Sequence, residues 1–182
     1  MINVRKKGNS YELKVAKIFS QVFDLPFVRV PNSGGLYLKG DIMVDPTKGD
    51  FPFVIECKNV RRYPLTQWEK QLLEEMAYMK KLGILVFHRH GSTRDYAYVP
   101  YFPVKLADRE VPDVRNTKFM DVLDEKSILK YHEGYIGPLM NMLLTIKFYM
   151  EQGEKYEYTD RYARKTKKAL EKNAKPPPAK KD

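Results

Sequence analysis

Three side chains in the order Asp41, Glu56, Lys58 have the types and spacing of a hydrolytic centre. The stretch FPFVIECK, residues 51–58, is rich in β-branched and aromatic residues and is predicted to be a strand. Side chains alternate across a strand, so Val54, Glu56 and Lys58 share one face and Phe53, Ile55 and Cys57 the other. Glu56 and Lys58 are then about 6.5 Å apart along the strand and project the same way. A second short strand is expected around Leu38 to Val44, with turn signals at Asp45-Pro46 and Lys48-Gly49 between the two. A hairpin of this kind sets Asp41 beside Glu56. Two adjacent carboxylates repel unless a positive charge lies between them, and a hard divalent cation takes oxygen ligands in that way. Such a cation polarises a phosphoryl oxygen and acidifies a bound water, and a lysine can orient that water or neutralise the charge that develops. These are the minimal parts for phosphodiester hydrolysis.

At these residues the sequence resembles the PD-(D/E)XK nuclease superfamily, with Gly40-Asp41 standing where that superfamily often has Pro-Asp. The first half of the chain also resembles the archaeal-type Holliday junction resolvases. The resemblance is carried by KKGNSYELKVAKIF (6–19) with Glu12 at an acidic helix position, by VRVPNSGG, by GDIMV and by IECK. It implies a restriction-endonuclease-like α/β fold, a mixed β-sheet flanked by helices, here with a C-terminal helical extension. It further implies Mg2+ as cofactor, with Mn2+ as a substitute, held by Asp41 and Glu56 with Glu12 as accessory ligand. Lys58 is the catalytic lysine on this reading, and Ser33 belongs to a catalytic loop facing DNA. Superfamily members often bring a Gln or Lys from the helix after Glu-x-Lys to the site, which makes Gln71 a candidate and Gln67 its rival. Phosphate contacts are expected from Arg5, Lys6, Lys7, Arg29, Arg61 and Arg62. The implied substrate is branched DNA cut by a homodimer. The alternatives are another nuclease of the superfamily, of restriction, nicking or repair type, and a non-catalytic DNA-binding protein on the same fold.

Other residues that could do chemistry have plainer explanations. Asp45 and Asp50 are expected as turn residues. Cys57 faces away from Glu56 and Lys58 and is expected to pack in the core. Glu12 has no charged residue three or four positions away, so a pair within its own helix does not account for it.

The elements that must position these groups follow from periodicity. Residues 64–83 are predicted to be a helix with Thr66 as N-cap, Glu69 as its capping-box partner and Gly83 as the stop. Its stripe of Trp68, Leu72, Met76 and Met79 is expected in the core. Ile84 to His88 and Tyr96 to Val99 are expected strands, giving an α-β-β-β-α-β-β order over residues 9–100. After Gly137-Pro138, Leu139, Met142, Leu143, Ile146, Tyr149 and Met150 mark another amphipathic helix, packed on the core or at a dimer interface.

The 182 residues suffice for one core with an extension, and 43% are hydrophobic. The expected organisation is a nuclease core over 1–102, a linker and helical extension over 103–158, and a basic, unstructured tail over 159–182. Arg161 to Asp182 contains nine Lys or Arg against two acidic residues and so holds most of the net charge of +10. That excess favours a polyanionic partner. The single Cys rules out an intramolecular disulfide framework, and no apolar run has the length of a membrane helix. A cytoplasmic or nucleoid-associated protein encoded by a phage or prokaryote is expected.

Overall fold

The computed structural model describes residues 4–30, 38–59, 64–88, 92–102 and 128–174, with side chains from residue 7 to residue 172 within these ranges. Helix α1 (Val4–Phe23) leads into β1 (Phe27–Arg29), β2 (Ile42–Val44) and β3 (Phe53–Lys58). Helix α2 (Leu65–Met79) then crosses to β4 (Leu82–His88) and β5 (Asp95–Pro100). The hairpin β6 (Leu129–Tyr131) and β7 (Gly134–Pro138) precedes α3 (Leu139–Glu151) and α4 (Asp160–Ala174). The α-β-β-β-α-β-β order expected over residues 9–100 is the order found.

The strands form one seven-stranded sheet in the order β1-β2-β3-β4-β5-β7-β6. Only β3 and β4 run parallel, as strands joined through a crossover helix must; every other pairing is antiparallel. Helices α1 and α3 pack together on one face, and α2 and α4 on the other. Central strand β4 is covered on both sides, and Leu82, Ile84, Leu85, Val86 and Phe87 are buried.

Helix α2 departs from its expected ends. Pro64 takes the N-cap position without a side-chain cap, and the helix stops at Lys80, whose left-handed φ of 52° closes the last turn. Gly83 is not the stop. It lies in β4 under the helix, where an added Cβ would come within 2.7 Å of Met76 Sδ and 2.8 Å of Leu72 Cγ. Its missing side chain lets Leu72 and Met76 settle on the sheet. Glu69 is no capping partner either: it is buried and bonded to Tyr98 and His132.

The organisation expected after residue 102 is also redrawn. Strand β7 pairs with β5, so the sheet continues past the expected boundary. Residues 160–174 of the expected tail form a helix docked on α2. The reason is an apolar stripe within the basic sequence: Thr166 is buried, and Tyr162, Ala169 and Leu170 pack against the core. Residues 103–127 and 175–182 lie outside the described residues. Among the described residues no helix is long and apolar enough to cross a membrane.

Candidate active site

The β2–β3 pairing carries Asp41 to Glu56. Asp41 N donates to Ile55 O at 2.8 Å, and Val30 N donates to Asp41 O at 2.9 Å, so the residue is fixed between its neighbours on either side. Its Oδ2 accepts from the Cys57 amide at 2.8 Å. Gly40 makes this approach feasible. Its φ is +87°, and a Cβ there would sit 2.9 Å from both Ile55 O and Val54 Cγ2.

Glu56 and Lys58 share the face of β3 that meets α2, as alternation requires. Lys58 Nζ donates to Glu56 Oε1 at 2.5 Å and to Gln71 Oε1 at 2.9 Å. Gln71 Nε2 donates back to Glu56 Oε1 at 2.8 Å, closing a ring of three side chains. The same Nε2 donates to Glu75 Oε1 at 2.9 Å, one helical turn further along α2. The Gln71 amide has only one orientation compatible with these partners, because the reverse would place its carbonyl oxygen against two carboxylates.

The apolar stripe of Trp68, Leu72 and Met76 that marks α2 in the sequence does not point to Glu75. The available signal was its position four residues after Gln71, which puts both on the face toward β3. Its Oε2 is buried and has no hydrogen-bond partner among the described residues. Gln67, the alternative to Gln71, is exposed.

The electrostatics of this cluster are those of carboxylates crowded in a poorly hydrated place. Burial first, and then the neighbouring Glu56, push Asp41 up to about 7. Burial, then Glu75, push Glu56 up to about 7, against the lowering effect of Lys58. Burial likewise raises Glu75. Glu12 adds to the negative potential at Asp41 from α1. It also accepts a hydrogen bond from Arg29 Nε at 2.6 Å, and Arg29 Nη2 donates to Asn9 Oδ1 at 3.1 Å. The ion pair is thus between elements, and it engages the guanidinium expected at phosphate.

Among the described residues, no three His, Cys, Asp or Glu side chains are disposed as a ready set of metal ligands. The donor chemistry nonetheless fits a hard divalent cation: Glu56 raises the proton affinity of Asp41, Glu75 raises that of Glu56, and Glu75 offers an oxygen without a partner among the described residues. In the ring, the Lys58 ammonium is the positive charge against Glu56.

Of the remaining candidates, Lys7 is exposed and borders a small cleft with Lys14, Asn59 and His88. Ser33, Arg61 and Arg62 lie outside the described residues, as do the side chains of Arg5 and Lys6. Asp45 accepts from the amide and hydroxyl of Thr47, and Asp50 pairs with Lys81, so both are held apart from the cluster.

No curated protein and no solved structure matches the chain. A family model described as "Phage putative PDDEXK endonuclease" matches residues 3–147, a span that includes Asp41, Glu56, Lys58, Gln71 and Glu75. A match over most of the chain, on an α/β sheet of this restriction-endonuclease-like form, makes the protein a member of that phage PDDEXK endonuclease family.

Proposed function

We propose that the protein is a metal-dependent DNA endonuclease whose active site is Asp41, Glu56, Lys58 and Gln71, with Glu75 beside them. The observation that carries this reading is the closed ring of Glu56, Lys58 and Gln71 next to a second, half-buried carboxylate. Asp41 and Glu56 would hold Mg2+ or Mn2+, with Glu75 and Glu12 as the flanking carboxylates. When bound, the cation supplies charge against a phosphoryl oxygen and a more acidic water. Lys58, released from Glu56, donates to the attacking water or to the non-bridging oxygens as negative charge accumulates. Gln71 holds Lys58 through its carbonyl and Glu56 through its amide, so it fixes the distance between ammonium and carboxylate. Ser33 and the basic residues Arg5, Lys6, Lys7, Arg61 and Arg62 are assigned to the DNA side of the site. Arg29 is assigned to holding Glu12.

The finer reading is a Holliday junction resolvase acting as a twofold dimer on branched DNA, and it rests on the sequence resemblance. Helix α3 supplies a candidate interface. Leu143 and Ile146 are in the core, whereas Met140, Leu144 and Phe148 form an exposed ridge at 46%, 53% and 54% accessibility. Leu144→Glu is therefore the substitution that should give folded monomers, read by sedimentation together with circular dichroism.

The deciding experiment incubates the protein with labelled four-way junction, duplex, flap and single-stranded DNA, with Mg2+ or with chelator. Metal-dependent cutting that Asp41→Ala abolishes is the expected result. Wild-type cutting by Asp41→Ala would overturn the site. Equal cutting of linear duplex and junction by a monomeric wild type would reject the resolvase reading and leave the endonuclease.

A further inference from the structure

On the flank of α2 opposite Gln71 and Glu75 lies a cleft of about 630 Å3, bounded by Thr66 and Glu69, by the β6–β7 turn and by α4. At about 100° per residue, positions 66 and 69 fall on one side of the helix and 71 and 75 on the other. The floor of the cleft is a carboxylate holding an imidazole. Glu69 is 5% exposed. It accepts from the Tyr98 hydroxyl at 2.5 Å, and its second oxygen lies 2.7 Å from His132 Nδ1. With Nδ1 turned to Glu69, Nε2 is the ring nitrogen left without a partner among the described residues.

The backbone around this dyad is constrained. His132 and Tyr101 both line the cleft, and both have left-handed φ values, 49° and 55°. Tyr101 N donates to Glu133 O at 2.9 Å. Gly134 lies so close to β5 that a Cβ would be 2.4 Å from Val99 O. The turn is thereby pinned to the sheet, and side-chain residues are kept in a conformation they rarely adopt at the positions that face the opening.

Helix α4 brings Lys165, Lys168 and Lys172 to the same cleft, at the i, i+3, i+7 spacing of one helix face. Lys165 pairs with Glu133 at 3.2 Å and lies 5.4 Å from the centre of the Tyr101 ring. Lys168 and Lys172 have no acidic partner among the described residues. Two unneutralised ammonium groups and an oriented imidazole nitrogen thus surround a space of small-ligand size. The buried Glu69 is already satisfied by two donors, which leaves the lysines to set the sign of what enters.

We propose that this cleft is a phosphate-binding site distinct from the catalytic cluster. It takes a nucleic-acid backbone phosphate or the phosphate of a mononucleotide through Lys168 and Lys172, with the imidazole of His132 at its floor. Glu69 is a positioning residue that aims His132 and does not touch the ligand. Binding of a DNA phosphate here rests on the nuclease reading; binding of a mononucleotide does not.

The test uses the full chain in chelator and follows the imidazole nitrogens by NMR, which is tractable with three histidines. A short duplex and a deoxynucleoside monophosphate are titrated separately. The His132 resonance should move with at least one of them, and Lys168→Gln/Lys172→Gln should weaken that ligand by about tenfold or more. Arg164→Gln/Lys167→Gln removes the same charge from residues of α4 outside the cleft and should have the smaller effect. A response to duplex alone assigns the backbone as source, and a response to the monophosphate assigns a free nucleotide. A stationary His132 with both ligands would overturn the proposal, as would equal loss in the two double variants. Metal-dependent cleavage is scored separately on the wild type, so its absence would count against the nuclease reading while a His132 response kept the cleft.

Discussion

At the scale of single residues, the carboxylates carry their own experimental signature. Asp41 moves from an ordinary value of 3.8 to about 7, and Glu56 from 4.5 to about 7. The folded protein therefore holds more protons than the unfolded chain between these limits, and its stability falls as pH rises through the window. Thermal unfolding in chelator should show stability falling between pH 5 and pH 8, by on the order of a few kcal/mol, since a tenfold change in proton affinity is worth about 1.4 kcal/mol. A divalent cation should restore the melting temperature at pH 8 and do little at pH 5, where protons occupy the site. In cleavage assays, Gln71→Ala should lower kcat by about 100-fold with DNA affinity unchanged, the scale of losing one positioned polar group. The juxtaposition of Lys58, Glu56 and Asp41 was legible in the sequence because a strand places i and i+2 side by side and a short hairpin brings its neighbour alongside. Glu75 was not, because a polar residue on a half-buried helix looks the same whether its carboxylate meets solvent or a second carboxylate. The partner of Glu12 was hidden for a related reason: Arg29 is on another element, and spacing within a helix cannot reveal it.

At the scale of elements, the position of α2 over the sheet decides whether Gln71 reaches Lys58. Gly83 sets that height through the close approach of Leu72 and Met76. Gly83→Val should cost about 1–3 kcal/mol by overpacking, measured by denaturant unfolding, and should reduce cleavage more than the stability loss alone explains. Gly83→Ala, which needs a smaller displacement, should fall between Gly83→Val and the wild type. The existence of α2 was plain from its apolar period, whereas its ends were not. Thr66, Glu69 and Gly83 form a persuasive capping pattern, but Glu69 is drawn into the interior by Tyr98 and by His132. The left-handed turn falls on Lys80, a residue whose type announces nothing.

At the scale of the whole molecule, charge and architecture overlap where the sequence suggested they would separate. The excess of lysine and arginine near the C-terminus reads as an unstructured arm, yet much of it is on a helix whose other face covers α2. Deleting residues 159–182 should therefore lower stability as well as DNA affinity, and a flat salt dependence could not be assigned to phosphate contacts alone. Replacing Arg164, Lys167, Lys168 and Lys172 with Gln separates the two effects: the melting temperature should hold while the slope of log affinity against log salt becomes shallower. An unchanged slope would remove α4 from the DNA interface. The apolar stripe that docks it, Tyr162, Thr166, Ala169 and Leu170, is visible once the helix is drawn but is outweighed in composition by its basic neighbours.

The groups that crowd around Glu56 have a consequence for how the chain folds. Asp41, Glu56, Lys58, Gln71 and Glu75 all come from one stretch, built from the β2–β3 hairpin and the β3–α2–β4 crossover, whereas closing α1 over α3 joins distant parts of the chain. Contacts local in sequence form at lower entropic cost, so this stretch is expected to be structured in the folding transition state. Its carboxylates would then repel one another while the nucleus is assembling. Refolding in chelator should be slower at pH 8 than at pH 5, and Asp41→Asn should speed it at pH 8, as stopped-flow fluorescence of Trp68 can measure. On that account the same crowding of carboxylates delays the chain on its way to the native state.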